Sequence, residues 1–379
     1  MSHPVLFRWA VAALVPLAVL AVPAPASAAP VPATAVDLGG LGGDQTFPAA
    51  INAVGQVAGQ SRTAAGEYHA FFWSRGRTID LGIAPGGTFS LVTGLNDRGQ
   101  VTGYGDTADG SAAFVWRAGV RTELPSPGIG QARTAGINAA GTVIGSDVDA
   151  ASGQPRGFLW RDGRFTDLGP LQPALINDAG VVVGTVPAAD GADRVVRWQR
   201  GVRTDLGPLG VPGSGRPYLA DLNRRGDLAA YASTGTGYRA YVRPAGATGW
   251  RPLPGLPGAT DVRVSALTER GVAVGTSDTG PGTPQRAVRW TGGAAYALPT
   301  LGGGTSAAVD VNDRGDVSGF SVTPAGEAHA VAWRRGVLVD LGPAGADSGA
   351  GAINQAGQLI GSAATPDERV RGLRWTLAG

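Results

Sequence analysis

Eight positions recurring once per repeat stand out in this chain, seven of them cationic or potentially so. They read His69, Ala112, Arg156, Arg194, Arg239, Arg286, His329 and Arg371, and each lies four residues before a tryptophan or the residue standing in for one. A cation recurring at one register of a repeat would set a ring of positive side chains on one face. Such a face suits an anionic extracellular glycan, a phosphate-bearing polymer or an acidic peptide. The same residues also have a purely structural reading. Asp80, Asp167, Asp205 and Asp340 follow four of them by eleven residues, which places acid and base on one side of a hairpin, diagonally across. Asp37 would serve Arg371 in the same way if the two ends of the chain meet. Exposed pairs of this kind contribute about 0.2–1 kcal/mol each.

Two of the cations lack that acid. Arg239 is expected to face Pro252, and Arg286 to face Ala297. The fifth copy also replaces the tryptophan by Arg243 and carries Trp250 in a hairpin two residues longer than usual. Arginine and tryptophan are enriched in recognition hot spots. The candidate ligand-binding residues are therefore Arg239, Arg286, Arg243 and Trp250, with His69 and His329 as the paired members of the series. Decay of two repeats explains the same substitutions.

Catalytic constellations are harder to assemble. His69 and His329 occupy equivalent repeat positions, with no serine or cysteine motif attached, and no GxSxG, HExxH or phosphate-binding loop occurs. A glycosidase needs two carboxylates about 5–10 Å apart, and different repeats could supply them. Asp106, Asp109, Asp147, Asp149, Asp190 and Asp193 fall in loops without the dense ligand spacing of a calcium site. No catalytic residue, metal site or cofactor is expected. The Arg-Gly-Asp tripeptides at Arg225 and Arg314 follow from the turn that each copy repeats.

That turn defines the repeat. Ile/Leu-Asn-x-x-Gly followed by alternating apolar residues occurs at Asn52, Asn96, Asn138, Asn177, Asn223, Asn312 and Asn354, with Thr268 in the sixth place. Successive spacings are 44, 42, 39, 46, 45, 44 and 42 residues, the period of a four-stranded propeller blade. Trp73, Trp116, Trp160, Trp198, Trp290, Trp333 and Trp375 keep phase with it and are expected to pack between blades. The asparagines read as turn residues. The last copy stops at its third strand, and the missing fourth appears at the other end as Val36-Asp37-Leu38-Gly39. The expected fold is all-β: an eight-bladed β-propeller over 36–379, with the N-terminal strand closing the last blade. A linear array is the alternative.

Composition agrees. Gly 62 and Pro 27 in 379 residues, with 43% hydrophobic side chains, suit many short strands around a core. Cysteine is absent, so disulfides are excluded. The net charge of +2 gives no nucleic-acid footprint. Residues 1–28 read as a secretory signal: Arg8, then the apolar run Trp9 to Val22, then Ala26-Ser27-Ala28. Residues 29–35 form a linker.

His69-Ala70-Phe71 and Asp37-Leu38-Gly39-Gly40-Leu41-Gly42-Gly43 resemble the signatures of the HAF-family extracellular repeat, with His329-Ala330-Val331 a near match. The resemblance covers essentially the whole mature chain and implies a bacterial, extracellular, propeller-like protein. It supplies no catalytic residues. The expected function is a secreted, non-catalytic binding or scaffold propeller, monomeric, with an extracellular glycan or protein as partner and no membrane span after signal cleavage. A propeller hydrolase or lyase acting on polysaccharide, or a purely structural surface protein, are the alternatives.

Overall fold

The computed structural model describes residues 33–187, 193–209, 216–343 and 346–378. The signal segment, the first residues of the linker and Asp190 lie outside them. Among the described residues every regular element is a strand, and none is a helix.

Each copy folds as four antiparallel strands in chain order. The third sheet shows the pattern with Arg133–Ile137, Val143–Val148, Pro155–Arg161 and Arg164–Gly169. The Asn-x-x-Gly segment makes the first turn: Gly55 N donates to Asn52 O at 3.0 Å, with Gly55 at φ 79. A side chain there would be strained, which explains the glycine. The third and fourth strands are joined by two residues in the left-handed region, Asp162 at φ 47 and Gly163 at φ 82, as a two-residue hairpin with this twist requires. The glycine four residues after the turn answers to packing. A Cβ on Gly319 would sit 1.9 Å from Ala307 O, and the first strand's register shifts just beyond, between Ala308 and Asp310.

Burial follows strand order. Second and third strands such as Val57–Thr63 and Tyr68–Ser74 are mostly buried on both faces, whereas fourth strands such as Arg77–Asp80 are largely exposed. First strands pack against the first strands of neighbouring copies, and Gly42–Ile51 also packs against Ser348–Ile353. The core is correspondingly divided. Eight apolar clusters lie between successive sheets, seven of them joining first to second through seventh to eighth. The remaining cluster joins eighth to first, with Ile360 against Leu38, Val57, Phe71 and Trp73. Five of the tryptophans are at most 5% exposed, and Trp290 and Trp333 donate Nε1–H to Pro254 O and Pro299 O of the preceding sheet, both at 2.7 Å.

The two ends of the chain share a sheet. Ala33–Asp37 pairs antiparallel with Val370–Leu377, from Ala33 opposite Leu377 to Asp37 opposite Leu373. Six four-stranded sheets stand alone, and the first and eighth are linked by one parallel pairing, Gln45 with Val370. Among the described residues hydrogen bonding therefore does not run round as one closed sheet. The architecture is all-β, with successive four-stranded sheets stacked face to face, the organisation of a β-propeller.

Candidate functional site

The acid–base pairs form where the repeat places them. His69 Nδ1 lies 2.9 Å from Asp80 Oδ2, and His329 Nδ1 lies 3.0 Å from Asp340 Oδ2. Arg156 grips Asp167 through two nitrogens, Arg194 lies 3.7 Å from Asp205, and Arg371 reaches Asp37 at 3.3 Å. A carboxylate only accepts, so each histidine presents its Nδ1 proton to the aspartate. The other ring nitrogen lies 3.5 Å from Glu67 or Glu327 and has no hydrogen-bond partner. An imidazole oriented by an aspartate is half of a hydrolytic constellation. Among the described residues neither Nε2 has a hydroxyl within hydrogen-bond reach.

Among the described residues Arg239 and Arg286 lack carboxylate partners, and for the expected reason: Pro252 pairs with Tyr241, and Ala297 with Val288, at the register where Asp80 pairs with Phe71. Arg239 is exposed, and the Nε of Arg286 is buried without a partner. Arg243 and Trp250 lie elsewhere. Both donate to Leu206 O of the fourth sheet, at 3.1 and 3.2 Å, and the guanidinium stands 5.9 Å from the indole centroid. They take over the link that tryptophan makes to the preceding sheet in other copies. Burial pulls the Arg243 guanidinium below its ordinary range. Along the strand, Arg239 and Arg243 are about 13 Å apart at about 3.3 Å per residue, so the structure does not gather the four candidates into one patch.

It does place Arg239 on a cleft. A cavity of about 340 Å³ opens between the fifth and sixth sheets. Thr234, Thr236, Tyr238 and Arg239 line it from the fifth sheet, the Pro252–Gly255 segment forms a second side, and Ala259, Thr260 and Val262 form the third. A broader hollow of about 650 Å³ lies over the hairpin at Arg161 and Arg164. It is bounded by residues of the third sheet alone, so the smaller cleft, walled by two sheets, is the better candidate.

Sequence reasoning missed the neighbours of that cleft. Tyr218 and Tyr231 stack with centroids 5.0 Å apart, and Tyr238 stands edge-on to both. Arg263 of the sixth sheet covers Tyr238 at 4.2 Å and pairs with Asp261 at 2.7 Å. Asp261 Oδ1 and Arg263 Nε are buried without hydrogen-bond partners, and burial raises the Asp261 carboxyl above its ordinary value. A signal existed: four of the seven tyrosines fall between 218 and 241.

Of the aspartates expected in loops, Asp106 and Asp147 lie on second strands and cap backbone. Asp106 accepts from the N–H groups of Thr88 and Phe89 and Asp147 from Gln131 N, as Asp278 accepts from Thr260 and Asp261 N, while Asp149 and Asp193 pair with Arg156 and Arg216. No group of three or more metal-ligating side chains converges among the described residues.

The asparagines do more than turn the chain. Asn138 Oδ1 accepts from Thr142 N at 2.9 Å, while its Nδ2 donates to Asn177 O at 3.1 Å, one copy on. The same link runs between successive copies and from Asn354 back to Asn52 O at 2.9 Å. Thr268 has no amide to hand on, so the step from sixth to seventh copy lacks it. Nearby on first strands, Asp221 accepts from Leu267 N and Asp310 from Ile353 N, each in the next copy. Burial, with Asp221 adding repulsion, raises the Asp310 carboxyl to about 7.

No family model matches the chain, so the resemblance to the HAF repeat is not confirmed, and no curated protein matches it. Solved structures do. A structure from a study of two prolyl endopeptidases superposes with TM-score 0.56 at 12% identity, over 86% of this chain and 54% of that one. The β-propeller domain of the Trilobed protease from Pyrococcus furiosus gives 0.50 at 10% identity, over 79% and 96%. A puromycin-hydrolysing peptidase from Mycobacterium tuberculosis gives 0.50 at 13%, over 84% and 57%. The chain thus spans little more than half of the first and third. At such identities the likeness is one of fold, and it supports a propeller repeat protein. It also corrects the functional expectation. The structures the chain superposes on at a TM-score of 0.50 or above include several peptidases and a protease's propeller domain, so the non-catalytic binding or scaffold reading is not carried forward.

Proposed function

We propose that this chain is a closed eight-bladed propeller of peptidase type, acting in peptide hydrolysis by admitting peptide chains at the cleft between its fifth and sixth blades. Closure is supported by the strand shared between the two ends, by the Leu38 cluster and by the amide link from Asn354 to Asn52. The observation that carries the peptide reading is the cleft between two sheets, with Arg239 free of any carboxylate among the described residues and Thr234 and Thr236 among its lining. Such a surface offers a cation and hydroxyls beside apolar walls, which is what an extended peptide's carbonyls and side chains need. Arg286 belongs to the same reading as the equivalent cation one blade on. Export through the N-terminal signal would place the substrates outside the cell.

The test is direct. Purified protein is incubated with a defined peptide mixture, and retained peptides and new termini are identified by mass spectrometry. Retention of a peptide subset, reduced at least severalfold by Arg239→Gln, supports the proposal. A protein that neither retains nor shortens any peptide overturns it.

A further inference from the structure

The charges of this chain are sorted between the two ends of its sheets. In each copy the first two strands meet at the Asn-x-x-Gly turn, and the last two meet at a hairpin on that same end. Val57, just past the turn, pairs with Trp73, just before the hairpin. The connections between second and third strands lie at the opposite end. The asparagine links between copies hold successive first turns side by side, and Glu269 N, donating to Asp313 Oδ1 at 2.8 Å, covers the step that lacks one. The turns therefore make one continuous face. We infer that this turn face docks on an anionic lipid bilayer.

Three observations carry it. The first is charge. Five of the hairpins, 74–77, 117–120, 161–164, 199–202 and 334–337, carry seven exposed arginines and one acid, Asp162. The central residues of the first turns add five more exposed arginines, Arg98, Arg224, Arg225, Arg270 and Arg314. The four acids among them are engaged in structure: Asp97, Asp178, Glu269 and Asp313 each accept a backbone N–H from the preceding copy's turn. The second is the contrast with the other end. Among the described residues, the connections between second and third strands hold eight acids and one arginine, Arg369. A net charge of +2 thus conceals a polarised molecule. The third is apolar exposure. Val54, Val202 and Val120 are 70%, 66% and 64% exposed, more than any other large hydrophobic side chain among the described residues. All three stand at turns of the cationic face, in three different copies.

Together these features fit a membrane surface better than a dissolved polyanion. Arginines near an anionic leaflet are attracted to it, and salt screens that attraction over about 8–10 Å. Their guanidinium forks also match the phosphate oxygens of lipid headgroups. Valines at turn tips gain nothing from a hydrated polymer. At a bilayer they leave water for the boundary between headgroups and acyl chains. Docking by this face leaves the cleft open to solution, because Thr234 and Thr236 lie in a connection at the opposite end. The inference is independent of the peptide reading and uses none of its residues.

Vesicle co-sedimentation tests it, with the chain from Ala29 on, which holds every described residue and lacks the apolar run Trp9 to Val22 that would itself enter lipid. Vesicles of pure phosphatidylcholine are compared with vesicles of equal parts phosphatidylcholine and phosphatidylglycerol, and heparin beads serve as the dissolved polyanion. The chain should bind the anionic vesicles more tightly than the neutral ones by about tenfold or more, and added salt should weaken that binding. The triple variant Val54→Ser, Val120→Ser, Val202→Ser should lower vesicle affinity by about tenfold or more while leaving retention on heparin unchanged. The triple variant Arg77→Gln, Arg117→Gln, Arg164→Gln should lower both. All of these side chains are exposed, so melting curves of the variants should match the parent's. Equal binding to both kinds of vesicle, or binding to neither, overturns the inference. Anionic binding that the valine variant leaves intact assigns the face to a dissolved polyanion, and the inference falls.

Discussion

Leu38 is the place to test whether the two ends of the chain hold each other. It is 2% exposed and packs with Val57, Phe71 and Trp73 of the first sheet and Ile360 of the eighth. Its N–H donates to Gly372 O at 2.9 Å, and its carbonyl accepts the Thr78 hydroxyl at 2.5 Å. Leu38→Ala keeps both backbone bonds and removes only the side chain. Truncating a buried leucine costs about 2–5 kcal/mol, depending on how far the site collapses. Val36, in the strand just before it, is 36% exposed, and Val36→Ala should stay within about 0.5 kcal/mol. Leu81, 4% exposed between first and second sheets, gives the interior reference. Scanning calorimetry should show Leu38→Ala and Leu81→Ala lowering the midpoint by similar amounts. The expected shift is several degrees, at about 2–4 °C per kcal/mol for domains of 150–250 residues and somewhat less at this length. If Leu38→Ala melts like Val36→Ala while Leu81→Ala is destabilised, the eighth-to-first contact is dispensable and the closed ring is wrong.

Three further outcomes follow from the geometry. Thr268→Asn should supply the missing amide to Asn312 O and raise stability by about 0.5–1.5 kcal/mol, whereas Asn138→Ala should lower it by about 1–3 kcal/mol; urea denaturation of both variants checks the pair. Asp310, raised from 3.8 to about 7, is protonated in the folded chain and ionised in the unfolded chain between those values. Stability should therefore fall as pH rises through that window, by on the order of 4 kcal/mol at most. Asp310→Asn should flatten the dependence, and an unchanged slope in that variant would falsify the assignment. Gly319→Ala drives a methyl group to 1.9 Å from Ala307 O and should cost about 1–3 kcal/mol or more, while Gly349→Ala meets nothing within 4 Å and should be tolerated; melting curves of the two separate close approach from simple loss of a glycine.

The repeat was legible because each of its landmarks answers to a local rule. Asn-x-x-Gly needs a turn with a left-handed glycine, Asp162-Gly163 a tight hairpin, and a strand that returns eleven residues later places Asp80 beside His69. These are short-range constraints, so a one-dimensional reading reaches them. Phase between them implied four strands per copy and a strand exchanged between the ends.

What lies between copies was not legible. Nothing in the spacing of Asn138 and Asn177 says that one amide reaches the other's carbonyl, because that bond depends on how far neighbouring sheets rotate and how closely their first strands approach. Trp250 looked free for a ligand until the fourth sheet supplied Leu206 O. The tyrosine cluster beside the cleft forms because Tyr218, Tyr231 and Tyr238 sit on three strands whose register brings them to one side, and the cleft exists only because the sixth sheet stands beside it. Local chemistry is written along the chain and was determined there. Contacts between sheets are set by the stacking of whole blades, and those contacts decide where a ligand can enter.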